Sequence, residues 1–104
     1  MKFNDYQEKA WGFALPTAKN FAYVESGLVG EVGELFSLFA KATRDGPPED
    51  YLLKVKKELG DVLWFVAAMC TMHGLHMEDI AGTNIDKLEN RRKLGTISGQ
   101  GDDR

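Results

Sequence analysis

Glu31-Val-Gly-Glu34 and Glu58-Leu-Gly-Asp61 each put two carboxylates three residues apart inside segments that are otherwise mostly apolar. Residues at that spacing share one side of a helix, so each pair can act as a two-pronged oxygen donor. A fold that carries both pairs must bring four negative charges to a place that tolerates them. Like charges at short range raise one another's pKa, and desolvation penalises the ionised form. A hard divalent cation removes that penalty, and donors made only of oxygen suit Mg²⁺ or Mn²⁺ better than zinc or copper. Glu31, Glu34, Glu58 and Asp61 are therefore the candidate metal ligands and the candidate catalytic carboxylates.

The surrounding pattern is helical throughout. A first short helix is expected over Phe3–Leu15, with Asn4 or Asp5 as its cap and Pro16 as its stop. A second runs from Ala22 to Ala42, with Val24, Leu28, Val32, Leu35, Leu38, Phe39 and Ala42 on one side. Arg44-Asp45-Gly46-Pro47-Pro48 ends it. A third begins at Glu49 or Asp50 and runs to His73, and a fourth follows the break at Gly74, from Met77 to Lys93. Residues 94–104, rich in glycine, read as a loop-like tail. No alternating strand pattern competes, so the expected fold is all-α, a four-helix bundle in a single domain over 1–104. The third helix is apolar nearly all round across Val62–Cys70, more than one subunit of 104 residues can cover. A homodimer or homotetramer is the expected way to complete the bundle.

Gly27, Gly30, Gly33 and Gly60 lie within the helical segments, where each costs about 1 kcal/mol relative to alanine. Two compensations fit: close approach of helices, and clearance for a metal and ligand beside the acids. A net charge of −3 gives no basic field for a nucleic-acid polymer, and the longest apolar run is too short to cross a membrane. Cys70 has no partner for an internal disulfide and reads as a buried small hydrophobe, which fits a cytoplasmic setting.

Cations complement the acids. Lys54 falls in the same arc of the third helix as Glu58, Asp61 and Phe65, and Asn84, Lys87 and Arg91 form one arc of the fourth, beside a core arc of Ala81, Ile85 and Leu88. Lysine offers a compact charge and arginine a planar fork for two phosphate oxygens. These four are the phosphate-binding candidates. Arg92 and Lys93 suit the negative end of the helix dipole. Gln7, Trp11 and Trp64, with Phe36, are the candidates for contact with a nucleotide base, although aromatic residues at helical spacing also serve cores. His73 and His76 bracket the Gly74 break as a polar helix end and supply too few ligands for zinc.

With Glu31-Val-Gly-Glu34, Glu58-Leu-Gly-Asp61 and Asn84-x-x-Lys87-x-x-x-Arg91, the chain resembles the MazG-like all-α nucleoside triphosphate pyrophosphohydrolases over nearly its whole length. Asp5-Tyr6-Gln7 and the closing Gly95–Asp102 look like the compact, single-domain members often encoded by phages, which would place the protein in the host cytoplasm. The resemblance implies hydrolysis of a (deoxy)nucleoside triphosphate to a monophosphate and pyrophosphate, with metal on the four acids and phosphates on Lys87 and Arg91. It leaves Glu34 and Glu31 both open as general base, and a phosphoribosyl-ATP or dUTP-selective pyrophosphatase would share these features. A non-catalytic helical interaction protein is the alternative from another class. A di-iron carboxylate bundle is a poor reading, since no glutamate lies three residues before either His73 or His76.

Overall fold

The computed structural model describes residues 1–104 and contains four α-helices and no strand. These are α1 (Phe3–Trp11), α2 (Phe21–Asp45), α3 (Tyr51–Met72) and α4 (Met77–Leu94), with one 3₁₀ turn at Pro16–Ala18. The all-α expectation holds, and three helices lie within a few residues of the expected ranges. The first is shorter. After Trp11 the amides of Phe13 and Ala14 bond to the carbonyls of Ala10 and Trp11, three residues back, so the coil tightens before reaching Leu15. Leu15 is then extended, at φ −74° and ψ 156°, as the residue before a proline prefers.

Helix α2 starts at a side-chain cap, with Asn20 Oδ1 accepting from the Tyr23 amide at 2.8 Å. It ends at Gly46, whose φ of 83° takes the chain out of the helix before Pro47 and Pro48. The turn folds α3 back along α2, and these two helices make the most extensive contact in the molecule. Helix α1 lies on α3, while α4 packs mainly on α1.

The start of α4 is capped from outside. His76 makes no side-chain cap bond. Instead Gln7 Oε1 accepts from the Met77 amide at 2.8 Å, and Asn4 Oδ1 accepts from the Glu78 amide at 3.1 Å. Asn4, expected to cap its own helix, thus caps another. Lys2 stands at the N-cap of α1, and its amide donates to Asp5 Oδ2 at 3.3 Å.

Two small clusters form the interior: Ala10, Ala67, Cys70 and Met77 between α1, α3 and α4, and Val24, Phe65 and Ala68 between α2 and α3. Only ten of 104 residues are buried. The accessible surface is 7680 Å², roughly 1,800 Å² above the value of about 5,800 Å² usual for a folded monomer of this mass. The Cα radius of gyration is 16.6 Å, against about 13 Å for a compact domain of this length. Much of the excess is apolar, including Val29, Val32, Phe36, Leu59, Leu63 and Ile80. No helix is long and apolar enough to cross a membrane.

Candidate active site

The hairpin of α2 and α3 brings Glu31, Glu34 and Glu58 together, each offering a carboxylate oxygen within 4.8 Å of the others. Glu34 is the neighbour whose negative charge acts most strongly on each of the other two. None of the three, nor Asp61, forms an ion pair with any basic side chain. One oxygen each of Glu31 and Glu58 is shut off from solvent with no hydrogen-bond partner. Both carboxyls are consequently pushed above the usual glutamate range. Desolvation is the larger cause for each, followed by the negative charges of Glu34 and Asp61, with Glu58 adding to the effect on Glu31.

Converging oxygen donors, two buried oxygens without partners and no neighbouring cation fit a hard divalent ion. Asp61 is less central. Its charge acts on Glu31 and Glu58, but it stands outside the tight group of three and is solvent-exposed. It also faces Tyr6 of α1, whose phenol is raised first by burial and then by Asp61. Tyr6 did not emerge from the sequence as a site residue. The only hint was its place in Asp5-Tyr6-Gln7, because its proximity to Asp61 arises from the docking of α1 on α3.

The α4 donors are held by the segment that follows the helix. Arg91 is buried, and its Nη2 donates to the main-chain carbonyl of Asp102 at 2.7 Å and to Asp102 Oδ1 at 3.2 Å. Lys87 Nζ donates to the same Oδ1 at 3.0 Å. Asp102 is held below the usual aspartate range, chiefly by its hydrogen bond with Lys87. The expected division of α4 into an open donor arc and a covered core arc is thus partly inverted. Lys87 is half-buried and Arg91 buried, whereas Ile85 and Leu88 are exposed. Asp102 of the segment 95–104 holds the cations, whereas the apolar side is left largely open, with Ile97 beside Ile85 and Leu88. Asn84 is exposed, and Lys54 is an exposed side chain 3.7 Å from Asp50, the N-cap residue of α3.

The base-contact candidates have structural work of their own. Gln7 is 7% exposed and spends its amide on α3, the turn and α4, with Nε2 donating to Thr71 Oγ1 at 3.2 Å and to the Leu75 carbonyl at 2.8 Å. Trp64 Nε1 donates to the Ala10 carbonyl at 3.0 Å, and its ring meets Phe65 edge-on. Trp11 is half-buried, with Lys19 Nζ 5.5 Å from its ring centre. Phe36 is exposed and touches Phe39.

Close helix approach, one of the two roles expected of the glycines, is met at one position. Gly27 lies against the Phe65 ring, which would collide with any added methyl, whereas Gly30, Gly33 and Gly60 open onto free space around the acidic pairs.

Comparison with known proteins supplies the remaining observation. Residues 20–95 match the MazG nucleotide pyrophosphohydrolase domain. The chain is also 34% identical over 89 residues to the Gene 37 protein of Mycobacterium phage L5, covering 83% of this chain and 78% of that one. No solved structure matches. The matched stretch contains both acidic pairs and the Lys87 and Arg91 helix, and the chain belongs to the MazG nucleotide pyrophosphohydrolase domain family.

Proposed function

We propose that this protein hydrolyses a nucleoside triphosphate between the α- and β-phosphorus atoms, releasing a monophosphate and pyrophosphate. The observation that carries this reading is the convergence of Glu31, Glu34 and Glu58 with two buried, unpartnered oxygens and no cation beside them. These three residues would hold Mg²⁺ or Mn²⁺, with Asp61 at the edge. A bound cation would neutralise phosphate charge and make an attacking water more acidic. The chain supplies the rest. Glu34, the exposed member of the three, accepts the proton of that water. Lys87 and Arg91 hold the charge that develops on the departing pyrophosphate, with Asn84 alongside and Lys54 on the approach. Water oxygen joins the α-phosphorus as the bridging oxygen leaves with the β-phosphorus.

The functional unit is a homo-oligomer. Its support is the surplus accessible surface, which exceeds the roughly 800 Å² that each partner buries in a standard interface. It also accounts for the exposed apolar sides of α3 and α4. Phosphorus NMR of the products tests the chemistry, using a panel of ribo- and deoxynucleoside triphosphates that includes dUTP, with phosphoribosyl-ATP alongside. Monophosphate and pyrophosphate as first products support the reading. Orthophosphate with a diphosphate, or no turnover of any member with either metal, overturns it.

A further inference from the structure

The closing segment is a built loop. Arg104 donates from Nε to the Thr96 carbonyl at 3.1 Å, from Nη2 to the Ile97 carbonyl at 3.0 Å, and from Nη1 to the Gly101 carbonyl. Its guanidinium thus ties the two ends of the loop together. The Thr96 amide anchors the near end to the Arg91 carbonyl at 2.8 Å. Gly99, at φ 131°, turns where an L side chain is strained, and an added methyl there would stand 3.1 Å from Arg104 Cδ. The loop delivers one carboxylate, Asp102, to two cations.

That carboxylate satisfies them poorly. Both contacts to Arg91 fall on Nη2, while Nε is shut off from solvent with the loop in place and has no partner. The Thr96 hydroxyl is also buried and unpartnered. Lys87 and Arg91 share a single oxygen of Asp102, and the Asp102 side chain is 83% exposed. The Lys87–Asp102 pair is solvent-exposed and of the weak kind, and the buried Arg91 fork meets this carboxylate through one nitrogen only. A phosphate group has more oxygens and more charge, and an arginine fork is suited to two of those oxygens at once.

We propose that Asp102 is an exchangeable stand-in for phosphate, occupying the Lys87 and Arg91 donors in the empty protein and yielding to the polyphosphate of the substrate. This rests on the reading of Lys87 and Arg91 as phosphate donors. The loop thereby selects for polyanions, since a ligand must outcompete the tethered carboxylate before it engages both cations. Displacement frees Arg91 Nη2 and uncovers Nε.

Asp102→Asn isolates the charge, because the main-chain carbonyl that bonds Arg91 remains and the loop keeps its anchor. The probe is inorganic pyrophosphate titrated into the full chain, with affinity read by calorimetry and the loop by hydrogen exchange of residues 95–104. Pyrophosphate should speed exchange of the loop in the native protein. Asp102→Asn should bind it about two- to fivefold more tightly, as expected for removal of an exposed ion-pair competitor, and Asp102→Glu should restore the native affinity. Weaker binding by Asp102→Asn, unchanged or slower loop exchange, or no binding at all overturns the proposal. Nucleotide turnover is measured in parallel. Displacement without turnover would leave the loop proposal standing and remove the hydrolase reading, and turnover without displacement would do the reverse.

Discussion

Gln7→Leu separates a structural clamp from a base contact. The native amide makes three hydrogen bonds from a 7%-exposed position, to Thr71 Oγ1, the Leu75 carbonyl and the Met77 amide. Leucine fills much of the same volume but leaves the Met77 amide and the Leu75 carbonyl without these partners. The hydroxyl of Thr71 can rotate to a substitute, so two groups carry most of the cost. At about 1–3 kcal/mol for a buried group left unsatisfied, the loss should be on the order of 2–4 kcal/mol. In a domain of this size that lowers Tm by roughly 10–25 °C. Urea and thermal unfolding at fixed protein concentration measure it, since an assembly makes stability depend on concentration. Gln7→Glu keeps the acceptor for Met77 but not the donors, and should fall between. Turnover per folded molecule should change little, and base preference should not change. A Gln7→Leu protein within about 0.5 kcal/mol of native stability but with an altered base preference would refute the clamp.

Mg²⁺ or Mn²⁺ at about 100 times its Kd should add about 2.7 kcal/mol of stability, and Glu34→Gln should abolish most of that gain in calorimetry while stabilising the metal-free protein. Glu31 and Glu58 bind protons more tightly in the folded state than in the unfolded. Their contribution is therefore full below the ordinary glutamate range and is lost as pH rises through the raised folded values. Metal-free protein should thus gain stability on going from pH 7 to about pH 5, and Glu31→Gln should flatten that profile. Asp45 and Asp102 are lowered and act in the opposite sense, below the ordinary aspartate range, so the windows do not overlap. Gly27→Ala should destabilise the fold by collision with Phe65, whereas Gly30→Ala should stabilise the metal-free protein by about 1 kcal/mol and impair catalysis. Equal stability effects at the two positions would remove the distinction between close approach and clearance.

Helix positions were legible because apolar spacing and the Gly46, Pro47, Pro48 and Gly74 punctuation are local signals. The convergence of Glu31, Glu34 and Glu58 was legible for a related reason: one tight turn between two amphipathic helices leaves few ways to orient them. The off-centre place of Asp61 was not, since it depends on how α3 rotates against α2 and where α1 docks. Gln7 and Trp64 offered polar tips whose partners lie far away in sequence, and nothing local distinguishes a core tether from a base contact. The covering of Lys87 and Arg91 was hidden for a different reason. A glycine-rich stretch carries no periodicity, and its shape is set by Arg104 and the main chain.

The external capping of α4 has a kinetic consequence. Its first two amides find acceptors on Gln7 and Asn4, 70 and 74 residues away in sequence. The α2–α3 hairpin closes through a short loop and can form early, but α4 gains its N-terminal bonds only after α1 has seated on α3, at the entropy of a much longer closure. Tertiary packing supplies most of the stability of a helix in a protein, so α4 depends on that docking. Seating of α1 therefore controls the first turn of the helix that carries Lys87 and Arg91, while Asp102 holds those cations at its far end.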